Sequence, residues 1–506
     1  MSFAVERASR YSGDVELDCD DVVIGSGAGG AVVAALLAES GRRVIVLEEG
    51  PYLAAEEIQK MRPSQHLARA WRDGGMTVAV GVGDSPTINV TMGRAVGGSS
   101  IVTGAVCFRT PGHVLADWSG RLGLSALDER SLRPYFEEVE RAVSVEEVPA
   151  AMRSLGTIRF SEGAEKLGYT MEPLRRTTKG CNGCGRCNFG CPHGAKMSVD
   201  MTYLPRAVAA GARIWSDCLV ESIRMKGDRA TGVEARIIGR SGGLFQRAGR
   251  VRVHAARVVV AAGAYHTPLL LERAGVGKKS GQVGRNMTLH PSFRMFARFE
   301  ERIEGWRGAL QSAYSRSLQH EGLTMVGLFV PPGVLAATSP GFGPDHVRRA
   351  ADIPHLAVFG GLLHDEGGGT VRRGPGREPF VTYRMAKEDR ARVPNVIRRM
   401  AEVFFAAGAK EVFPPILGQP GVDADQLAKL DLESVPSMRL ECSSQHPLGS
   451  ARMGTSESTA VTDVDGRVWG TNNLFVADGS LVPTSLGVNP QVTIMTLATR
   501  VAHHMI

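Results

Sequence analysis

The strongest constraint on how this chain folds lies within its first fifty residues. Asp21-Val22-Val23-Ile24 has the pattern of a strand buried on both faces, and Gly25-Ser26-Gly27-Ala28-Gly29-Gly30 follows it at once. Ala31 to Ser40 reads as a helix that Gly41 ends, and Val44 to Leu47 is a second buried strand closed by Glu48. Strand, glycine turn, helix, strand and acid within about 30 residues make the unit that binds a dinucleotide. Gly25 allows the tight turn, Gly27 lets the backbone approach a pyrophosphate, and Gly30 lets the helix pack close to the strand. The helix N-terminus offers free N–H groups to the phosphates. Glu48 is placed to accept hydrogen bonds from ribose hydroxyls. The unit alone does not separate FAD from NAD.

The rest of the chain is large enough for about three units of ordinary core size, at 506 residues. Apolar residues make up 43% and charged residues 22%, which excludes intrinsic disorder and collagen-like structure. The net charge is +7, with no dense basic stripe interleaved with aromatics, so no nucleic-acid partner is expected. The longest apolar stretch, Val22 to Ala38, contains four glycines and is shorter than a membrane span, so no integral membrane segment is expected. The N-terminus mixes acidic and basic residues and lacks the layout of a signal peptide. Four of the eight cysteines fall within eleven residues, which is not a dispersed disulfide framework. A reducing, cytoplasmic setting is therefore expected.

Further segments fit an α/β chain. Gly93-Arg-Ala-Val-Gly97-Gly98-Ser99-Ser100 is a glycine-rich loop whose N–H groups can wrap a phosphate or a flavin edge. Arg257 to Gly263 reads as another buried strand, and Leu219 to Ile223 with Gly232 to Ile238 reads as a hairpin. Between 292 and 438, the alternating runs Phe293 to Phe299, Thr324 to Val330 and Pro379 to Met385 predict an antiparallel sheet. Pro394 to Ala407 is expected to be a helix with Val396, Ile397, Met400, Val403 and Phe404 on one face.

These segments stand among ordered motifs: Gly263 to Leu271, Val283 to Asn286, His290-Pro291, His446 to Gly449, Arg452 to Gly454, Val476 to Ser480 and Gly487 to Pro490. Together they resemble the glucose–methanol–choline (GMC) family of FAD-dependent oxidoreductases, from about residue 18 to the end. The C-terminal segment is most similar to long-chain alcohol oxidases and cholesterol oxidases, because the second active-site position is Asn489 rather than a second His. The resemblance implies an α/β fold with a Rossmann-type FAD-binding domain formed by 15–118, 200–290 and 440–506. It also implies an α+β substrate domain on an antiparallel sheet over 291–439, and a connecting segment over 119–199. FAD is the implied cofactor. Its implied contacts are Gly25, Gly27, Ala28, Gly30, Glu48, Gly93, Gly97, Gly98, Ser99, Thr103, Val220, Ala264, Asp478, Gly479 and Pro490. The family usually has Asn where Thr103 stands and Ser where Ala274 stands, so the contacts at Thr103 differ from the usual ones.

Oxidation of an alcohol by a flavin needs a hydride acceptor and a base for the hydroxyl proton, and His is the side chain suited to that task at neutral pH. Of the 13 histidines, His446 lies in a matched motif and is expected to be the base, with Asn489 donating to the substrate oxygen. The expected function is FAD-dependent oxidation of a CH–OH group to an aldehyde or ketone, with a small-molecule alcohol as substrate and O2 or a redox carrier as electron acceptor. Two alternatives remain open at this point: an electron-transfer dehydrogenase subunit and a non-redox lyase on the same fold.

The run Cys181-x2-Cys184-x2-Cys187-x3-Cys191-Pro192 has the spacing of a bacterial ferredoxin. It is compatible with an iron–sulfur cluster, with a structural zinc, or with thiols that are free or paired. A cluster near the flavin would favour one-electron transfer to a carrier.

Overall fold

The computed structural model describes residues 3–238, 249–277, 279–329, 331–338, 343–376 and 378–506. The dinucleotide unit forms the centre of an 8-stranded sheet. Its parallel core runs Arg213–Ser216, Val44–Leu47, Val15–Ile24, Arg250–Val260 and Leu474–Val476, and Arg250–Val260 also leads into the antiparallel hairpin Arg229–Ile237 and Cys218–Lys226. Ile24 pairs with Leu47 and Val260, and Val260 pairs with Val476, so four strands end at one level. In sheets of this kind ligands bind beyond the carboxyl ends of the strands. The strand before the glycine turn begins at Val15, six residues earlier than its fully buried part. Leu17 and Cys19 face inward while their neighbours face out, and this half pairs along Val251 to Ala255.

The helix Ala28–Glu39 carries ten buried residues and packs between the sheet and the C-terminal helix Gln491–Met505. Close approach at its start forbids a side chain at Gly29: a Cβ there would stand 1.8 Å from the carbonyl oxygen of Ala477. The segment leading to Asp478 is thereby pressed against the turn that follows the first strand.

A second, 11-stranded sheet is built mostly from the later half of the chain. Ser292–Arg298, Leu356–Leu363, Leu323–Gly327 and Ala313–Ser315 are antiparallel neighbours, and Gly368–Arg373 pairs with Pro379–Arg384 at the other end. The expected strand at 324–330 ends at Gly327, and Val330 lies outside the described residues. The expected helix begins at Lys387 rather than Pro394 and runs to Ala406. Its Phe404 meets Phe160 edge-on at 4.9 Å, and Phe160 stacks on Phe359 of the sheet at 3.6 Å. The strand Cys442–Ser444 belongs to this second sheet and runs directly into Gln445 and His446. Among the described residues no helix is long and apolar enough to cross a membrane.

Gly29→Ala tests the backbone contact. It is expected to lower stability by about 3 kcal/mol or more, because both obstructing atoms are backbone. Gly13→Ala, which meets no atom within 4 Å, is expected to leave the melting temperature unchanged. Thermal denaturation of the two variants checks this.

Candidate functional site

A cavity of about 340 Å³ lies where the four strands end. Its wall at the glycine turn is Gly25, Gly27, Ala28 and Gly29, where no side chain caps the helix N-terminus. The first-turn N–H groups have no partner within the helix and are available to an anion. Gly93, Gly98 and Ser99 form the facing wall. Gly98 is backed directly onto the turn, since a Cβ on it would lie 2.6 Å from the Cα of Gly27. Val220 and Ala264 line the cavity towards the hairpin and the helix Gly263–Ala274, and His446, Asp478, Gly479 and Pro490 line its other end.

Glu48 also lines the cavity and is 5% exposed. Its carboxylate accepts from the Ser26 backbone N–H at 3.0 Å, the Ser26 hydroxyl at 2.7 Å and the Gly50 N–H at 2.8 Å. The Asp478 carboxylate accepts from the N–H groups of Gly263 and Ser480 and from the Thr267 hydroxyl, and so ties the start of a helix to the last strand. Burial raises its pKa, with these donors opposing the rise.

Four expected residues stand outside the cavity wall. Gly30 packs inside the turn, where a Cβ would meet the Gly25 carbonyl oxygen at 2.1 Å. The Gly97 N–H donates to the Ser26 hydroxyl at 3.0 Å. The Thr103 hydroxyl donates to the Ser100 carbonyl and to Gln491 Oε1, at 3.2 and 3.1 Å. Asn489 reaches the cavity only through His446, its Nδ2 lying 3.1 Å from the His446 Nε2. The Nδ1 of His446 and the Oδ1 of Asn489 are buried without a hydrogen-bond partner among the described residues.

Sequence reasoning quoted His290 only as part of a motif, and the structure places it beside His446. Their ring centroids are 5.3 Å apart at 63°. His290 is fully buried, and its Nε2 accepts from the backbone N–H groups of Leu486 and Gly487 at 2.8 and 3.2 Å. Both donors lie on the segment that ends in Asn489. With Nε2 an acceptor, the ring carries its proton on Nδ1 and is neutral. Asp365 fixes the same corner: it accepts from the N–H groups of Leu289 and His290 and from the hydroxyls of Tyr383 and Ser485. No short-range motif links these residues; the signal in the sequence was only the His-Pro pair near the end of the Val283 to Pro291 stretch.

The arrangement of Cys181, Cys184, Cys187 and Cys191 gives no support to the iron–sulfur or zinc reading of the run. All four are free thiols. Among the described residues no three Cys, His, Asp or Glu side chains are grouped to hold a metal ion. The Cys187 sulfur instead accepts from the Arg176 guanidinium at 2.7 Å, and the Cys181 sulfur accepts from the Gly183 N–H at 3.5 Å.

Burial governs three histidines. It pushes His66 and His290 down to about 3 and holds His446 well below the usual histidine range. The unfolded chain takes up protons at these rings below about pH 6.5, whereas the folded chain does not, so stability present above that pH is lost as pH falls. The expected loss is roughly 1.4 kcal/mol per ring per pH unit below that point. Denaturant melts between about pH 7 and pH 5 check it, and His66→Gln is expected to reduce the slope by one ring's share.

Residues 19–292 and 369–498 match the GMC oxidoreductase family. The GMC-type oxidoreductase Rv0492c of Mycobacterium tuberculosis (strain ATCC 25618 / H37Rv) is 37% identical over 484 residues, covering 96% of this chain and 75% of that protein. The long-chain-alcohol oxidase FAO1 of Arabidopsis thaliana is 28% identical over 512 residues, covering 96% of this chain and 66% of that protein. Among solved structures, pyridoxine 4-oxidase from Mesorbium loti superposes with a TM-score of 0.72 at 19% identity, over 96% of this chain and 99% of that one. The two family matches cover most of the sequence and join the glycine turn at one end to the His446–Asn489 pair at the other, and on that ground the chain belongs to the GMC oxidoreductase family.

Proposed function

We propose that the protein oxidises an alcohol CH–OH group to an aldehyde or ketone with FAD as cofactor, His446 as base and Asn489 as its partner. The observation that carries this reading is the cavity itself, which has an uncapped helix N-terminus and Glu48 at one end and a neutral, buried imidazole at the other. These residues fit a dinucleotide: the helix N–H groups and the Gly93 to Ser99 loop suit the pyrophosphate, and Glu48, with three acceptor sites taken, keeps about one for a ribose hydroxyl. Bound there, FAD supplies the acceptor for the hydride that leaves the carbinol carbon.

The remaining steps belong to the chain's own side chains. Burial keeps His446 uncharged, the form that takes up a proton. An alcohol entering beside it takes over the Asn489 Nδ2 donor and offers its hydroxyl proton to Nε2, so the 3.1 Å pair opens around the substrate oxygen. Once protonated at Nε2, the ring donates back to the substrate oxygen, on which the Asn489 Nδ2 also acts. His290 cannot compete for the proton, because two N–H groups already occupy its Nε2. It holds the Leu486–Gly487 segment and so fixes Asn489. The electron acceptor for the second half-reaction is O2 or a redox carrier. A relative named as a long-chain-alcohol oxidase supports the alcohol class of substrate.

His446→Ala is expected to slow alcohol-dependent bleaching of the flavin band under nitrogen by roughly 10²- to 10⁴-fold while FAD stays bound. Asn489→Ala is expected to slow it by roughly 10²-fold, the cost of one lost donor at the developing charge. Stopped-flow absorbance measures both, and an unchanged rate in His446→Ala removes this histidine from the chemistry.

A further inference from the structure

The cysteine loop holds two buried cations, and among the described residues no carboxylate is hydrogen-bonded to either. Arg176 is 1% exposed, and its guanidinium donates to the Gly104 carbonyl at 3.1 Å and to the Cys187 sulfur at 2.7 Å. Lys196 is 4% exposed, and its ammonium donates to the carbonyls of Ile101, Thr103 and Cys187 at 2.8, 3.1 and 2.9 Å. Burial pushes Lys196 down to about 8, against the pull of Cys187, Asp200 and Cys191. At Arg176 the downward push of burial is outweighed by the sulfurs of Cys187 and Cys181. Cys187 is the residue that both cations bond, Arg176 at its sulfur and Lys196 at its backbone carbonyl. A sulfur held by a guanidinium is an activated nucleophile.

Two further observations concern access and a partner. A second cavity of about 200 Å³ is lined by Arg176, Thr178 and Cys181, and so opens beside the residue that holds Cys187. Cys184 stands three residues before Cys187, at the spacing of dithiol redox motifs. Burial pushes the Cys184 thiol up, and its neighbours Cys191, Cys187 and Cys181 add to the rise, so it stays protonated.

We propose that this loop is a thiol oxidation site, in which a hydroperoxide oxidises Cys187 and Cys184 closes a reversible disulfide with it. In the first step the Cys187 sulfur attacks the peroxide, the O–O bond breaks, and Cys187 becomes a sulfenic acid as one oxygen leaves as alcohol or water. In the second step the Cys184 sulfur displaces the sulfenic hydroxyl, which leaves as water when the thiol proton joins it. Overall, two thiols are oxidised by two electrons and one peroxide is reduced. The closed form withdraws Cys187 from Arg176. It also shifts the carbonyl that shares Lys196 with Ile101 and Thr103, at the end of the 3-10 turn Gly98–Val102 that lines the dinucleotide cavity.

The test uses the full chain with its cofactor, reduced, freed of reductant under nitrogen and titrated with hydrogen peroxide. The expected result is loss of two of the eight thiols first, a Cys184–Cys187 disulfide in the peptide mass map, and recovery of both thiols with dithiothreitol. In Cys184→Ser, Cys187 is expected to stop at the sulfenic acid and to be labelled by dimedone. In Arg176→Gln, Cys187 is expected to react about tenfold more slowly. Oxidation of other thiols while Cys187 stays reduced, absence of the dimedone adduct in Cys184→Ser, or a stoichiometric metal bound to the loop of the purified protein would each overturn the proposal.

Discussion

Backbone meets backbone without intervening side chains at the carboxyl edge of the parallel sheet, and the rest of the site depends on that contact. Ile24, Leu47, Val260 and Val476 stop at one level, and the segments that follow them come close enough that a single methyl group on Gly29 would collide with the Ala477 carbonyl. Hydrophobic strands alone would stack a sheet at this level. The absence of side chains is what converts the sheet edge into a fringe of N–H groups with room for an anion. The nearby carboxylates are satisfied by donors that converge on the same edge: Glu48 by Ser26 and Gly50, Asp478 by Gly263, Thr267 and Ser480.

The same economy extends to the reacting end. Asp365 is buried and satisfied by two N–H groups and two hydroxyls rather than by a cation, and His290 is held neutral by two more N–H groups. His446 therefore sits among dipoles and uncharged rings, and its own protonation state is set chiefly by burial. The second sheet contributes by delivering that imidazole: Cys442–Ser444 is one of its strands, and the chain turns out of it directly into the cavity. The cysteine loop is organised in the opposite way, with the Arg176 guanidinium facing the Cys187 sulfur.

The parts legible in the sequence were those whose signal is contiguous. The strand, glycine turn, helix and second strand fall within thirty residues, and each residue type is fixed by local geometry. The hairpin after 218 and the strand into Gly263 were legible for the same reason. Element starts were not: residues 15–20 join the first strand because they pair along Val251 to Ala255, and the helix over 394–407 begins at Lys387, with Pro394 inside it. The cysteine run was legible as a cluster, but the partners of its sulfurs were not. Spacing alone cannot show that a guanidinium from the preceding strand, Arg176, takes up Cys187. His290 was invisible as a site residue because its partners, Leu486 and Gly487, lie almost two hundred positions away.

The cofactor cavity draws its wall from segments that begin at Ile24 and end at Ile494. The glycine turn and the Asp478, Gly479 and Pro490 segment lie at opposite ends of that range, so neither forms a pocket alone. The wall closes only when chain segments far apart in sequence have docked, which makes the cavity a report on long-range assembly rather than on local folding.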